Sequence, residues 1–295
     1  MKIFKGLEAI TQEKHPLAPL TTFGVGGPAE YFLRPRTEDE LQDVLCRAEA
    51  AGLQVRALGR GSNILVKDEG VKGAVVQLDP EAFGRIAVEE DLVRAGAAAA
   101  LQDVVRTAAR EGLSGVECLV GIPGSVGGGV RMNAGGAFGD MGQTVERVKV
   151  IDVHGNAFWR ERDDLAFGYR TSNISARFIL EAELRLMPDD KKAILDRMKK
   201  MWIAKRNSQP LNRASAGCVF RNPRGMAAGL LIDEAGLKGA TVGGAMVSRK
   251  HANYIVVKDK ATVTAADILA LIELIQKTVK ERADVYLEPE IQIWP

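Results

Sequence analysis

The chain has 295 residues, of which 46% are hydrophobic and 26% charged, and its 40 Lys and Arg residues nearly balance its 38 Asp and Glu residues. These values are ordinary for a globular protein, and the length predicts about two domains. There is no polybasic tract and no apolar run of the roughly 20 residues that a membrane helix needs, so we expect neither nucleic acid nor membrane as a partner.

Cysteine and histidine are scarce, which limits metal and disulfide chemistry. The three cysteines form no CxxC motif and suit a reducing cytosol, and the three scattered histidines predict no metal site. The N-terminal segment MKIFKGLEAITQEKH has no long apolar core and no small-residue cleavage site. We therefore expect no signal peptide and a cytoplasmic protein.

The first part of the chain is predicted to be a small α/β unit around a glycine-rich turn. Thr37 and Glu40 form a capping pattern for a helix that Gly52 ends. Strands are predicted over Gln54–Leu58 and Gly73–Leu78, and the turn 59-GRGSN-63 lies between them. Its backbone and side chains could donate hydrogen bonds to phosphate, but no Gly-Lys-Ser/Thr follows, so it is not a P-loop.

The second part is richer in strands and contains the most glycine-rich segment, Gly121–Gly139, predicted as a loop. Successive glycine amides can wrap an anion, so a diphosphate site is one reading, and an elaborate turn is the other. The flanking predictions are a helix over Ala99–Gly112, a hairpin of Val145–Asp152 with Ala157–Arg160, and a strand over Phe178–Met187.

The last part is predicted to alternate helices with short strands. The predicted helices are Asp189–Asn207, Ala227–Ala235 and Thr264–Arg282, and the predicted strands are Cys218–Phe220, Tyr254–Val257 and Val285–Trp294.

Several motifs, in order along the chain, resemble a known family. The pair 59-GRGSN-63 and 121-GIPGSVGG-128 resembles the flavin-binding module of vanillyl-alcohol-oxidase type. Together with 21-TTFGVGG-27, 168-GYRTS-172, 215-SAGCVFRNP-223 and 288-EPEI-291, it resembles the UDP-N-acetylenolpyruvoylglucosamine reductases over essentially the whole chain. The few residues between Arg170 and Phe178 leave no room for the tyrosine-bearing insertion of some members, which indicates the shorter class.

The resemblance implies an α+β fold: a two-subdomain FAD-binding module of PCMH type, followed by a smaller α+β substrate-binding domain. The implied ranges are 1–80 for the first FAD-binding subdomain, 81–204 for the second and 205–290 for the substrate-binding domain. The C-terminal strand, 291–295, is expected to return to the first range.

The implied reaction is NADPH-dependent reduction of the enolpyruvyl ether of UDP-N-acetylglucosamine-enolpyruvate to UDP-N-acetylmuramate, a step of peptidoglycan precursor synthesis. FAD would pass hydride from its N5 atom to the vinyl carbon, because no protein side chain supplies hydride. Arg170 would grip the substrate carboxylate, Cys218 would donate the proton, and Glu290 would help to stabilise the enolate. A free thiol is mostly protonated at neutral pH and can donate.

Binding residues are also implied by the matching motifs. FAD, held without a covalent bond because neither glycine-rich segment contains histidine, would contact Thr22, Gly59, Arg60, Gly61, Ser62, Asn63, Gly121, Pro123, Gly124, Ser125, Gly127, Gly128, Asn133, Ala134 and Gly135. The substrate would contact Tyr169, Arg170, Lys205, Gly217, Arg221, Asn222 and His251.

Three departures from the family pattern and two alternatives accompany this interpretation. Cys218 stands where serine is usual, Arg221 where lysine is common, and Gly135–Phe138 replaces a Gly-Ala-Tyr pattern. The alternatives are a flavin-dependent oxidase of small alcohols and a non-catalytic nucleotide-binding protein. Under the reductase interpretation we expect a monomer in the bacterial cytoplasm whose partners are NADPH and the sugar nucleotide.

Overall fold

The computed structural model describes residues 3–295; Met1 and Lys2, at the start of the range 1–80, lie outside the described residues. The chain forms two units, each assembled from three separate segments. The first contains Met1–Glu13 (described from Ile3), Tyr31–Arg60 and Gly73–Lys205, and the second contains Lys14–Glu30, Gly61–Lys72 and Arg206–Pro295.

Helices occur in both units. The α-helices of residues 3–295 are α1 (Glu38–Ala50), α2 (Pro80–Phe83), α3 (Leu101–Glu111), α4 (Val126–Arg131), α5 (Lys191–Ser208), α6 (Ala228–Glu234) and α7 (Ala265–Ala283). Short 3-10 helices lie at Glu8–Ile10, Ala18–Leu20, Glu117–Leu119, Met141–Gln143 and Arg162–Asp164.

The strands are mostly short. In chain order they are β1 (Thr11–Pro16), β2 (Pro28–Leu33), β3 (Val55–Ala57), β4 (Ile64–Val66), β5 (Val71–Val76), β6 (Ile86–Glu89), β7 (Leu92–Gly96), β8 (Leu113–Ser114), β9 (Gly135–Gly136), β10 (Gly139–Asp140), β11 (Val145–Ile151), β12 (Ala157–Glu161), β13 (Phe167–Gly168), β14 (Thr171–Ser172), β15 (Phe178–Arg185), β16 (Met187–Pro188), β17 (Thr241–Val242), β18 (Ala245–Val247), β19 (Ile255–Val257) and β20 (Gln292–Trp294).

The first unit has an antiparallel five-stranded sheet in the order β12-β11-β15-β7-β6. Its central strand, β15, is buried along most of its length, and the carboxylate of its buried Glu183 accepts hydrogen bonds from Arg94 and Arg147. Helix α3 contributes Leu101, Val104 and Val105 to the same core and ends at Gly112, whose φ of 75° is the left-handed conformation that glycine adopts readily. In the same unit, β3 pairs in parallel with the end of β5, Val55–Ala57 with Ala74–Val76.

The second unit packs the antiparallel sheet β17-β18-β19 with helix α7. Thr264 and Asp267 form a capping box at the start of α7, and the Asp68 carboxylate accepts two further hydrogen bonds of 2.9 Å from the first amides of this helix. The last strand, β20, pairs in parallel with β4. Residues from all three segments therefore share one core, which includes Phe23 and Leu65 beside the α7 side chains.

The predicted helices on either side of the glycine-rich segment, and the hairpin of β11 and β12, are confirmed. The prediction of a loop over Gly121–Gly139 is wrong in part, because α4 lies within it. Ser125 caps this helix by accepting from the Gly128 amide at 3.4 Å. A Cβ on Gly129 would lie 3.0 Å from Leu101 and Met141, so glycine lets α4 pack closely there.

Two predicted strands of the second unit are also corrected. Cys218–Phe220 is not a strand but makes a single bridge, between Phe220 and Pro289. The strand predicted over Val285–Trp294 is reduced to β20. Pro289 has no amide hydrogen to donate to a ladder, which limits regular pairing before β20.

Candidate functional site

A cavity of about 600 Å³ opens in the first unit where the two glycine-rich segments meet. Gly59 and Arg60 line it from the first segment, and Ser125, Gly127 and Gly128 line it from the second. Its size and mixed lining are those of a small-molecule site. The other lining residues include Val55, Leu58, Gln77, Leu78, Ala97, Arg131, Arg177, Phe178 and Ile179.

The glycines in this cavity are required because side chains of neighbouring segments lie close to their backbone. A Cβ on Gly59 would lie 2.6 Å from Ser125 Oγ, and one on Gly127 would lie 2.9 Å from the Ala97 Cβ. Glycine therefore leaves the backbone of both segments bare beside the cavity. Such a cradle fits the diphosphate of FAD, which backbone amides can approach without side chains between.

Gln77 holds the first segment in place, although no motif pointed to it. Its Nε2 donates to the Gly59 carbonyl at 2.8 Å, and its Oε1 accepts from Arg34 at 2.8 Å. Both ends of the amide are thereby satisfied, which fixes the peptide that lines the cavity. A single glutamine at the end of an apolar strand gives no sequence signal, because its partner lies 18 residues away.

The entry to the second segment is held by Gln102 of α3. Its Nε2 donates to the carbonyls of Leu119 and Ile122 at 3.1 Å, and its Oε1 accepts from the Gly121 amide at 3.2 Å. Gly121 has a φ of 74°, and a Cβ there would lie 2.8 Å from the Trp202 ring of α5. The Gln102 side chain and the Trp202 ring thus fix the position of the chain that leads to the cavity.

Lys205, predicted to contact substrate, is buried at the end of α5 and donates to the Cys118 carbonyl at 3.0 Å and the Val120 carbonyl at 2.6 Å. Burial, the largest cause, lowers the pKa of its ammonium to about 8, and the positive charge of Arg170 lowers it further. Burial likewise raises the pKa of the Cys118 thiol to about 11. In this structure Lys205 therefore supports the same stretch of chain as Gln102.

Arg131, the last residue of α4, lines the cavity and was not among the predicted site residues. Its guanidinium donates to the carbonyls of Ile174 and Ala176, and burial lowers the pKa of its side chain. It brings a positive charge to a cavity expected to hold an anion. Its isolation within a glycine-rich segment was the available sequence signal.

Arg170 occupies the turn of a small hairpin formed by β13 and β14. Its φ is 57°, and its guanidinium carbon lies 5.3 Å from the centre of the exposed Tyr169 ring. Asn133 donates from Nδ2 to the Gly168 carbonyl at 2.9 Å, and Ser172 donates from Oγ to the Arg131 carbonyl at 2.9 Å. The hairpin is therefore bound on both strands to the end of the glycine-rich segment.

Cys218 lies in the second unit, half-buried, beside a backbone held by Asn253. The Asn253 side chain accepts from the Phe220 amide at 2.9 Å and donates to the Phe220 carbonyl at 2.8 Å. The Asn253 carbonyl also accepts from the Val219 amide at 2.8 Å. These three bonds pair the backbone groups of Val219 and Phe220, as a neighbouring strand otherwise would. No sequence motif pointed to Asn253.

Glu290 is buried in the same unit, next to the chain that carries Cys218. Its amide donates to the Val219 carbonyl at 2.7 Å. The backbone of Glu290 is therefore bound to the residue that directly follows Cys218. Asn63, predicted to bind FAD, donates from Nδ2 to the Glu290 carbonyl at 3.2 Å, and its own carbonyl accepts from the Gln292 amide at 2.8 Å. Hydrogen bonds to backbone groups thus connect Asn63 with Glu290, and Glu290 with the residue after Cys218.

The second unit contains four other predicted substrate residues, namely Gly217, Arg221, Asn222 and His251. The Arg221 amide donates to the Glu288 carbonyl at 2.9 Å, and the Asn222 side chain accepts from the Ala228 amide at 3.0 Å. Burial lowers the pKa of the His251 imidazole, whose ring packs edge-on against Tyr254. Gly217 has a φ of 78° just before Cys218.

The predicted FAD residues divide between the two units. Gly121, Pro123, Gly124, Asn133, Ala134 and Gly135 belong to the first unit but do not line its cavity. Thr22, Gly61, Ser62 and Asn63 belong to the second, where Thr22 donates from its amide to the Gly61 carbonyl at 3.1 Å. Arg170 is in the first unit, and Cys218 and Glu290 are in the second.

Comparison with known proteins identifies the family. The FAD binding domain family matches residues 29–159, and the C-terminal domain of UDP-N-acetylenolpyruvoylglucosamine reductase matches residues 209–294. A UDP-N-acetylenolpyruvoylglucosamine reductase of Moorella thermoacetica is 40% identical over 289 residues, covering 98% of this chain and 94% of its own length. The chain belongs to the UDP-N-acetylenolpyruvoylglucosamine reductase family.

Two further relatives agree with this assignment. UDP-N-acetylenolpyruvoylglucosamine reductase 2 of Symbiobacterium thermophilum is 41% identical over 281 residues, covering 95% of this chain and 90% of its own. The crystal structure of the Thermus caldophilus reductase superimposes with a TM-score of 0.84 at 41% identity, over 96% of this chain and 98% of that one. The predicted α+β fold with an FAD-binding module and a smaller C-terminal domain is confirmed, as is FAD as the cofactor.

No helix within residues 3–295 is both long and apolar enough to cross a membrane. In the same described range, no group of three or more His, Cys, Asp or Glu side chains is arranged to hold a metal ion.

Proposed function

We propose that the protein catalyses the NADPH-dependent reduction of UDP-N-acetylglucosamine-enolpyruvate to UDP-N-acetylmuramate with non-covalently bound FAD. The observation that carries the proposal is the cavity of about 600 Å³ that Gly59 and Ser125 line, in a chain whose family relatives are reductases of this name. Bound FAD supplies the redox chemistry, since it accepts an electron pair from NADPH and passes it to the substrate.

Arg170 is proposed to bind the substrate carboxylate. Hydride addition to the vinyl β-carbon leaves negative charge on the α-carbon and its carboxylate until a proton is donated. A guanidinium remains protonated and can bind a carboxylate with two parallel hydrogen bonds. The turn that carries Arg170 is fixed on both strands, which favours electrostatic stabilisation by a group already in position.

Cys218 is proposed to donate the proton to the α-carbon. Its thiol is half-buried, and its chain is held by Asn253, so the sulfur can be aimed at one carbon. Glu290 is proposed to assist by orienting the thiol or the arginine, and its burial and its bond to Val219 support a fixed position. The remaining proposed substrate contacts are Tyr169, Lys205, Gly217, Arg221, Asn222 and His251.

The three functional ranges, 1–80 and 81–204 for FAD and 205–290 for substrate, also remain proposals. The pairing of β20 with β4 supports the return of the C-terminal strand to the first range. We further propose that the protein works in the bacterial cytoplasm. We also propose that it is a monomer, and light scattering on the purified protein would test its oligomeric state.

An anaerobic two-step titration tests the proposed reaction. The purified protein should be yellow, NADPH should bleach it, and UDP-N-acetylglucosamine-enolpyruvate should restore the colour in a stoichiometric amount. A protein that oxidises a small alcohol and is reoxidised rapidly by oxygen, while ignoring the sugar nucleotide, would be an oxidase. A protein that binds FAD or the sugar nucleotide without turnover would be a non-catalytic binder.

A further inference from the structure

We propose that Asn133 is a positioning residue for Arg170 rather than a ligand of FAD. The inference rests on the proposed function, in which Arg170 binds the substrate carboxylate. It comes from the hydrogen bonds of Asn133, which are made to backbone groups on either side of it.

The Asn133 side chain is almost completely buried, with 2% of its surface exposed. Its Nδ2 donates to the Gly168 carbonyl at 2.9 Å, and its Oδ1 accepts from the Gly142 amide at 2.8 Å. Both ends of the amide are therefore engaged with the protein backbone, and Asn133 does not line the cavity.

The Gly168 carbonyl lies at the first edge of the turn that presents Arg170. Gly168 pairs with Thr171, which leaves Tyr169 and Arg170 as the two turn residues. The φ of 57° at Arg170 is uncommon for a residue with a side chain, so the surrounding structure must hold the turn. The bond from Asn133 acts at this edge.

The second strand of the hairpin is held from the same end of α4. Ser172 Oγ donates to the Arg131 carbonyl at 2.9 Å, and the Arg131 guanidinium donates to the carbonyls of Ile174 and Ala176. Residues 131 and 133 thus bind the chain before and after Arg170. A displacement of either strand would move the guanidinium relative to the cavity segment.

The other end of the Asn133 amide binds the residue on which the hairpin rests. A Cβ on Gly142 would lie 2.5 Å from Phe167 Cγ, so the Phe167 ring of β13 packs directly on the Gly142 backbone. Because Asn133 binds both the Gly142 amide and the Gly168 carbonyl, it sets the distance between this support and the turn. Asn133 itself has a φ of 45°, a conformation that asparagine tolerates better than most residues.

Two variants separate positioning from cofactor binding and from stability. N133D keeps the shape and the acceptor but removes the donor to Gly168, and N133G removes both bonds without adding charge and suits the positive φ. For both variants we expect FAD affinity and anaerobic reduction by NADPH to stay within about threefold of wild type. Reoxidation by UDP-N-acetylglucosamine-enolpyruvate should slow by about 10- to 100-fold, because small misplacements of a binding group have such effects.

The controls are N212D, a matched change at an exposed position of the second unit, and R170K as a reference for lost carboxylate binding. N212D should resemble wild type in every measurement, and R170K should slow the same half-reaction as N133D and N133G. A parallel loss of FAD affinity in both Asn133 variants would overturn the inference in favour of a cofactor ligand. Unimpaired reoxidation in them would also overturn it if R170K is slow. Unimpaired reoxidation in R170K would overturn the proposed role of Arg170, and a wild type that the sugar nucleotide does not reoxidise would overturn the proposed function.

Discussion

The side-chain amide of Asn63 donates a hydrogen bond of 3.2 Å to the backbone carbonyl of Glu290, 227 residues later in the chain. The Asn63 carbonyl accepts a second bond, of 2.8 Å, from the Gln292 amide. Asn63 is thereby joined to the C-terminal segment at Glu290 and at Gln292, on either side of Ile291. The link predicts that Asn63 affects the chemistry assigned to Glu290.

We expect N63D to slow substrate-dependent reoxidation about tenfold while NADPH-dependent reduction changes little, because a carboxylate cannot donate to the Glu290 carbonyl. Stopped-flow absorbance of the flavin would measure both half-reactions. N212D, at an exposed position of the same unit, is the matched control. Equal loss in both half-reactions would instead indicate that Asn63 acts on FAD.

For Cys218, substitution should separate proton donation from flavin reduction. C218A is expected to retain reduction by NADPH and to lose at least about 100-fold in reoxidation by substrate, in line with the usual contribution of a general acid. C218S should keep substantial activity, since a hydroxyl occupies nearly the same position. If C218A slowed both half-reactions alike, the thiol would have a structural role.

Burial of Lys205 predicts a pH-dependent contribution to stability. Its pKa in the folded protein, about 8, lies below the ordinary value of 10.5, so the unfolded chain binds more protons between these pH values. The contribution of Lys205 therefore increases the free energy of unfolding as the pH rises from about 8 to 10.5. Against K205M, the stability of the wild type should increase between pH 7.5 and 10.5 by up to roughly 3 kcal/mol.

Urea unfolding of both proteins at several pH values measures this difference. K192M, at an exposed position of the same helix, should unfold with the pH dependence of the wild type. Parallel pH profiles for the wild type and K205M would show that the Lys205 ammonium is solvated in the folded protein.

The contact between the two glycine-rich segments predicts which glycines FAD binding requires. G59A introduces a Cβ 2.6 Å from Ser125 Oγ and must displace the residue that caps α4, so we expect FAD affinity to fall by at least about tenfold. G136A adds a Cβ with no atom within 4 Å and should bind FAD like the wild type. Fluorescence titration of the apoproteins with FAD would measure both, and equal affinities would contradict the close approach.

Asp68 is expected to stabilise the second unit through α7. Its carboxylate accepts from the amides of Ala265 and Ala266, and D68A would leave these groups to solvent at a cost of roughly 1 kcal/mol. Thermal unfolding should show the loss, and E69A, an exposed neighbour, is the control. A melting temperature for D68A equal to that of E69A would show that water replaces the carboxylate.

The elements that the sequence predicted well are those with local signals. Helix α7 begins with Thr264 and Asp267 at capping-box spacing, so its start follows from the sequence, although Leu274, whose spacing predicts burial, is exposed. The two glycine-rich segments were predicted to share an anionic ligand, and Gly59 and Ser125 do line one cavity. Glycine content alone left an elaborate turn as the alternative, and the shared ligand was predicted from the resemblance of the paired motifs to a flavin-binding module.

The elements that the sequence did not predict depend on tertiary contacts. Helix α4 contains three successive glycines, which disfavour a helix on their own, and packing against Leu101 and Met141 decides its conformation. Gln77 and Asn253 hold backbone that is 18 and 33 residues distant, and single amides in apolar surroundings have no pattern to recognise. Lys205 lies in a charged helix, so its burial could not be foreseen.

The pairing of β4 with β20 has a consequence for the order of folding during synthesis. Ile64–Val66 is translated early, but its strand partner, Gln292–Trp294, follows far later in the chain. Phe23, Val25 and Leu65 likewise await core partners on α7. The second unit therefore cannot complete its core until α7 and β20 have been translated, and until then its early apolar segments are exposed to association.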